Sequence, residues 1–190
     1  MAEDIQNYEP EIRHNNVNSL YGNHFRFDIE GFPDVSFFVQ SVSVPSVISG
    51  TQNQPNPFTN IPQVGDHLKY NAFDVTFVVD AKMKNYFSIY YWMKGYGFPH
   101  QYEERLAFLN ARRQQVANPR PQIRELDKTH AILSILQPDT NSVIAEIRYH
   151  EIFPTALGSL EFSTTDSEPP LLTSRVTFEL SDFDIHLTQP

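Results

Sequence analysis

Apolar and polar side chains alternate in several short stretches of the chain, the period of a β-strand that buries one face. In residues 24–30 the apolar side chains fall on one side and the polar ones on the other. A second strand is predicted at 35–44, where the apolar parity changes near Gln40 and indicates a β-bulge. Because a short turn separates these two strands, we expect them to form a hairpin.

The next stretch, residues 53–66, contains three prolines and has no usable period. We therefore predict a long loop. Such a loop inside a compact domain is usually functional or ordered by a partner.

Residues 68–80 alternate again and predict a strand. A helix is predicted at 82–94, begun by Asp80 as its N-cap and ended by Gly95 and Gly97. Its apolar residues recur at helical spacing, which predicts one core-facing stripe formed by Met83, Phe87, Tyr90 and either Met93 or Lys94.

A second helix is predicted at 100–118 and is broken by the prolines that follow it. Within it, Arg112 and Arg113 could contact phosphate, but a solvated helix surface is the favoured interpretation. The aromatic run 86–92 could stack on bases or a cofactor, and its helical spacing favours a core face instead.

The end of the chain predicts strands. Residues 129–137 and 143–153 are expected to pair across a PDTN turn, and 159–164 to pair with 171–187. A change of parity at Ser181 predicts a second bulge.

Strands joined by short turns pair antiparallel, and a helix then packs on an open side of the sheet. The predicted fold is mainly β: an antiparallel β-sandwich or partly open barrel with a flanking α-helix and a second helical insertion. We expect an N-terminal arm over residues 1–23 and a single β domain over 24–190, with the helical, proline-rich insertion at 99–128.

Composition supports one folded domain. The length of 190 residues is typical of a domain, and 15 Phe and 9 Tyr argue against disorder. The chain has no apolar run near 18 residues, and its polar, acidic start lacks the features of a signal peptide, so we expect a soluble protein.

Charge and cysteine usage exclude several functions. The net charge of −9 disfavours a DNA- or RNA-binding protein but would let a polyanion pass without adhering. The absence of cysteine excludes disulfides, thiolate metal sites and cysteine nucleophiles.

Two strand faces carry candidate chemistry. Asp182, Asp184 and His186 alternate along one strand and could ligate a metal, although an ordinary polar face is favoured because no further ligand set is placed by the sequence. Glu146, Arg148, His150 and Glu151 could act in acid–base catalysis, but nothing in the sequence implies the dry cleft that such chemistry needs. The chain has no nucleophile or phosphate-loop motif, so we predict no enzymatic activity, no cofactor and no metal.

A series of segments occurs in a familiar order: FRFDIEGFPDVSFFVQSVSVPSV (25–47), a loop ending in VGD (64–66), NAFDVTFVVD (71–80), KNYFSIYYWMKGYG (84–97), IFPTALGSLEF (152–162) and the final strand LLTSRVTFELSDFDI. In this order the chain resembles the tail tube proteins of contractile-tailed bacteriophages, which are related to the inner tube of type VI secretion. The resemblance covers most of residues 24–187.

The resemblance implies a structural subunit that assembles into stacked hexameric rings and forms the DNA-conducting channel inside a contractile sheath. The implied partners are other copies of the chain, the sheath protein, baseplate and tail-terminator proteins, and genomic DNA in transit, with no membrane. The implied location is the virion tail, after assembly in the host cytoplasm.

Two groups of residues follow from this expectation. Contacts between subunits are expected from the loop and from the N-terminal arm, with the loop residues being Pro57, Phe58, Asn60 and Ile61. A lumen surface is expected from outward strand positions, namely Asp28, Glu30, Arg175, Thr177 and Glu179.

Two alternatives stay open at the level of sequence. One is a baseplate-proximal tube initiator or a tube terminator, which would occur in one or two rings instead of many. The other, more distant, is a monomeric ligand-binding β-barrel with an apolar pocket.

Overall fold

The computed structural model describes residues 20, 22–55, 57–97, 102–115, 126–163 and 171–188. The N-terminal arm predicted over 1–23 lies almost wholly outside these ranges, as does part of the 99–128 insertion. No helix within the described ranges is both long and apolar enough to cross a bilayer.

The described ranges contain nine strands and three helices, numbered here in chain order. The strands are β1 (Phe25–Ile29), β2 (Val39–Val42), β3 (Val47–Pro55), β4 (Asn60–Tyr70), β5 (Phe73–Val78), β6 (Thr129–Leu136), β7 (Val143–Leu157), β8 (Thr173–Glu179) and β9 (Asp182–Leu187). The helices are α1 (Pro33–Phe37), α2 (Lys84–Gly97) and α3 (Tyr102–Gln115).

Seven strands form one bent antiparallel sheet whose two parts pack over each other. The first layer has the order β1-β6-β7-β9 and the second the order β2-β5-β8-β7, with β7 shared between them. Strand β7 bends at Glu151, whose φ of 53° is left-handed, so its N-terminal part pairs with β6 and β9 and its C-terminal part with β8. The predicted antiparallel sandwich with flanking helices is thereby confirmed, and the described strands do not close into a barrel.

Aromatic rings from both layers fill the core. Phe73 stacks on Tyr149 with ring centroids 4.7 Å apart, and Phe178 lies 5.5 Å from Phe73. Phe27 meets Tyr149 edge-on at 6.0 Å. The predicted alternation in β1 and β5 is confirmed, since Phe27, Ile29, Phe73, Val75 and Phe77 are all buried.

The predicted strand at 35–44 is wrong in its first half. Pro33 opens the short helix α1, and only Val39–Val42 is a strand. Strand β2 pairs with β5, not with β1, because α1 carries the chain from the first layer to the second. The bulge near Gln40 is confirmed by a register shift between Val39 and Ser41.

Two further strand predictions are wrong at the end of the chain. Residues 159–163 form no strand, and β8 pairs instead with β5 and β7. At Ser181 the chain leaves one layer and enters the other, so the change of parity marks a break between β8 and β9. The predicted pairing across the PDTN turn, by contrast, is confirmed in β6 and β7.

Helix α2 buries a different face from the predicted stripe. Phe87 and Tyr90 are exposed, while the buried residues are Asn85, Ile89, Trp92 and Gly95. Trp92 stacks on Phe32 at 4.5 Å and donates from Nε1 to the Asp127 carbonyl at 2.9 Å. The spacing predicted a helix correctly. Aromatic residues lie on both sides of this helix, however, so the sequence did not show which side packs on the core.

Helix α3 confirms the second helical prediction and packs against α2. Arg105 forms a bidentate ion pair with Asp127, whose Oδ2 lies 2.7 Å from Nη2. Arg112 is buried, with its guanidinium 5.4 Å from the Phe32 ring centroid, and desolvation lowers its pKa. The prediction of a solvated surface is therefore wrong for Arg112, while Arg113 is exposed.

Candidate assembly surfaces

The segment predicted to be a long loop is a β-hairpin. Strands β3 and β4 pair with each other from Val47↔Tyr70 to Pro55↔Asn60 and with no other described strand. All of their residues are exposed except for Gly65 and Tyr70, which are half-buried. Nine residues at about 3.3 Å each let the hairpin extend about 30 Å from its base.

Cross-strand contacts and one bulge define the pairing of the hairpin. Gln63 donates across the strands to Gln54 at 3.2 Å. Between Ser49 and Thr51 the register shifts, and a Cβ on Gly65 would collide with the backbone of Gly50 opposite. The exposed apolar side chains of the hairpin, Val47, Ile48, Ile61, Val64 and Leu68, are not spaced at alternate positions along either strand, so no hydrophobic period was available to predict the strands.

All four residues predicted for self-assembly lie at the tip of this hairpin. Pro57 and Phe58 are in the turn, and Asn60 and Ile61 begin β4. All four are exposed, and Phe58 is 95% exposed.

The hairpin belongs to a long uncharged part of the chain. Residues 35–65 contain no Asp, Glu, Lys or Arg, although the chain as a whole has 37 such residues among 190. This stretch includes β2, β3 and the tip of the hairpin. Although the protein is acidic overall, this part of its surface is contributed by an uncharged stretch of chain.

The first layer has an open edge at β9. In the described structure β9 pairs with β7 only, and its register places Ile185 opposite Ile147 and Leu187 opposite Ala145. Ile147 and Ala145 are buried, whereas Ile185 is 59% exposed and Leu187 is 77% exposed. No described strand pairs with the outer edge of β9 or covers this apolar strand face.

Between the edge strands of the two layers, β1 and β2, lies an apolar groove with a volume of about 230 Å³. Among the described residues, no Asp, Glu, Lys or Arg lines this groove, and its polar lining side chains are those of His24, Gln40 and Ser41. Its apolar lining residues are Leu20, Phe25, Val42, Val44, Leu133 and Ile135.

The residues predicted to line a lumen are divided between the two layers. Asp28 and Glu30 are exposed on the outer face of the first layer. Arg175, Thr177 and Glu179 lie on the outer face of the second layer, on β8. The outer faces of two packed sheets point in opposite directions, so the structure does not bring the two groups together.

Arg175 and Thr177 share a partner on the neighbouring strand. Both bond the Asp74 carboxylate, with Thr177 Oγ1 at 2.7 Å from Oδ1 and the Arg175 guanidinium on Oδ2. These hydrogen bonds, that of Arg175 above all, lower the pKa of Asp74.

The outer face of the first layer carries the candidate metal and acid–base residues. His150 Nε2 lies 3.2 Å from Asp184 Oδ2, and Arg148 Nη2 lies 3.0 Å from Glu146 Oε2. Glu151 accepts from Lys128 at 2.6 Å and from Ser181 at 2.7 Å, which lowers its pKa. Among the described residues no group of three or more His, Asp or Glu side chains is placed to hold a metal.

No protein-family model matches the chain, and no curated protein matches it either. Solved structures with the same fold are found among contractile injection systems. The tube-terminating cap of the anti-feeding prophage aligns with a TM-score of 0.60 and 16% identity over 94% of this chain and 99% of that one. A chain of the sheath–tube complex of an extracellular contractile injection system (PVC, extended state) aligns at 0.55 and 11%, over 90% and 94%. A chain of the PVC sheath/tube terminator aligns at 0.54 and 12%, over 89% and 97%. This protein therefore has the fold of chains found in the tube-terminating cap, the sheath–tube complex and the sheath/tube terminator of contractile injection systems, as the order of its sequence segments predicted.

Proposed function

We propose that the protein is a structural subunit of a contractile phage tail tube that assembles into stacked hexameric rings. The observation that carries the proposal is the β3–β4 hairpin, which projects from the domain and is exposed along nearly its whole length. A two-stranded ribbon of this kind is marginal in water by itself, and so favours packing on another molecule. The shared fold with tube and terminator chains supports the same role.

The open edge at β9 supports closure into rings. Unpaired backbone groups beside exposed Ile185 and Leu187 are an aggregation hazard in a monomer. Addition of a neighbouring subunit along this edge would satisfy both the hydrogen bonds and the apolar surface. A head-to-tail contact closes into a ring when its rotation divides a full turn, and every β9 edge in such a ring is covered.

Within such a ring we propose that the outer face of the first layer lines the bore. By register and parity this face carries the carboxylates of Asp28, Glu30, Glu146, Asp182 and Asp184, against the guanidinium groups of Arg26 and Arg148. Glu151, at the bend of β7, is paired with Lys128 and adds no net charge. The excess of negative charge would let DNA slide without binding. Arg175, Thr177 and Glu179 would then lie on a surface away from the bore.

The remaining expectations belong to this proposal. The partners are further copies of the chain, the sheath protein, and baseplate and terminator proteins, with genomic DNA only passing through. The chain would act in the virion tail, as a wall and not as an enzyme.

A tube terminator or initiator is the second candidate. The alignment with the tube-terminating cap of the anti-feeding prophage, at a TM-score of 0.60, favours it specifically. The two candidates differ in copy number, because a tube contains many rings and an end protein forms one or two. Purified wild-type protein should form long hollow filaments in the first case and single rings in the second.

Negative-stain electron microscopy of the purified protein, compared with a variant that has a shortened hairpin, tests the proposal. Thr51 pairs with Val64, so residues 52–63 can be replaced by an Asn-Gly turn that keeps the base of the hairpin intact. We expect rings or tubes from the wild type and folded, unassembled subunits from the variant. Uniform wild-type monomers at high concentration would contradict a tube subunit.

A further inference from the structure

The hairpin tip and the groove between β1 and β2 have complementary properties. Phe58 at the tip is 95% exposed, the largest exposed fraction among the exposed large apolar side chains of the described residues. The groove has a mainly apolar lining and a volume of about 230 Å³. A cavity of about 150 Å³ already holds a benzene ring, so this groove has room for a phenylalanine side chain.

The groove lies where the core of the sandwich is open. Leu133, at its floor, is only 5% exposed and belongs to the core, whereas Val44 at its rim is 49% exposed. It is bordered by β1 and β2, the edge strands of the two layers. An apolar side chain entering here would extend the core beyond the edges at which both sheets end.

We propose that Phe58 of one copy inserts into the β1–β2 groove of a second copy. The inference rests on the proposed self-assembling function and names the contact that links successive copies. It assigns the hairpin tip as the inserted element and the groove as its receptor.

Electrostatics favours a second copy as the occupant. Two molecules of net charge −9 repel each other, so their contact is favoured where neither surface is charged. Both the tip and the groove meet this condition: residues 35–65 have no Asp, Glu, Lys or Arg, and none of these lines the groove within the described part of the chain.

Geometry makes the contact intermolecular. Val44 in the groove is three residues from Val47, where the hairpin begins, while the tip lies about 30 Å away along the extended strands. A tip therefore reaches away from the groove of its own copy. Because each copy offers one tip and one groove, the contact is head-to-tail and propagates from copy to copy.

Charge substitution tests the pairing in the full-length chain. Phe58→Asp and Val44→Lys should each reduce the assembled fraction in sedimentation velocity at least tenfold, because each places an unpaired charge in an apolar contact. The chain with both substitutions should recover assembly, because the new carboxylate meets the new ammonium group. Phe162→Asp and Leu171→Lys are matched controls at other exposed apolar positions and should assemble as the wild type does.

Cysteine cross-linking gives a readout that does not need rings. The chain has no native cysteine, so Phe58→Cys with Val44→Cys should form intermolecular disulfides in a ladder of dimers and higher species. Phe162→Cys with Val44→Cys is the control and should give no ladder.

The outcomes separate this inference from the proposed function. Wild-type rings together with unimpaired assembly of Val44→Lys, or with no cross-linked ladder, would overturn the inference and leave the tube function standing. A ladder from a chain that forms no rings would uphold the contact and overturn the hexameric tube. Failure of the doubly charged chain to recover, while Val44→Lys is impaired, would also count against direct insertion.

Discussion

At the scale of single residues, Tyr149 fills the centre of the core with its ring but buries a hydroxyl group there. Its ring stacks on Phe73 and meets Phe27, but its hydroxyl is buried and has no hydrogen-bond partner in the described part of the chain. Burial raises the pKa of this phenol. The ring stabilises the fold, whereas the oxygen atom is desolvated without compensation.

We expect Tyr149→Phe to raise the free energy of unfolding by about 1 kcal/mol, since the variant keeps the ring and removes the unsatisfied hydroxyl. Urea denaturation followed by circular dichroism measures the change. Tyr96→Phe is the matched control: Tyr96 donates to the Pro154 carbonyl, so its loss should lower stability. A less stable Tyr149→Phe would show that the hydroxyl has a partner.

At the scale of elements, the α2–α3 pair depends on one close approach. Gly95 lies in α2 with Phe108 of α3 directly against it, and a Cβ added to Gly95 would collide with that ring. Gly97 is in the same helix, and a Cβ added there meets nothing within 4 Å.

Gly95→Ala is accordingly expected to lower the free energy of unfolding by about 1–3 kcal/mol, because Phe108 must move from its packed position. Gly97→Ala should leave stability nearly unchanged or raise it slightly, since alanine favours helix. Thermal unfolding of the two variants beside the wild type gives the comparison. Equal unfolding temperatures would refute the close packing of the helices.

Elements whose periodicity matched their burial were predictable from the sequence. Apolar and polar residues alternate along β1, and buried and half-buried residues alternate along β5, because each strand has one face on the core. Helix α2 was predicted as a helix, but its buried face was not, since Phe87, Tyr90 and Trp92 are comparably apolar and only tertiary contact selects among them. The β3–β4 hairpin was missed because it buries neither face.

At the scale of the whole molecule, the two layers give two candidate surfaces for a bore. Asp28 lies on the outer face of the first layer, and Thr177 lies on the outer face of the second. Since these faces point in opposite directions, only one can face the inside of a tube.

Labelling of single introduced cysteines distinguishes the two outer faces as candidates for the bore. The native chain has no cysteine, so only the introduced thiol can react. In assembled tubes, Asp28→Cys should be protected from a bulky polyethylene-glycol maleimide, while Thr177→Cys should react. Both should react in the unassembled protein, which is the control. The reverse pattern in tubes would assign the bore to the second layer and to Arg175, Thr177 and Glu179.

The sequence by itself determined the class of fold, the antiparallel pairing of β6 with β7 and the uncharged character of residues 35–65, because periodicity, turn residues and charge are local properties. It also led to the prediction that self-assembly contacts lie in one short segment, residues 57–61. Only the tertiary structure decided that this segment is a projecting hairpin, that β1 and β2 border an open groove, and that the expected lumen residues lie on two opposite faces. These features depend on which strands become neighbours, and long-range pairing is set by the packing of the whole core instead of by any one stretch of chain.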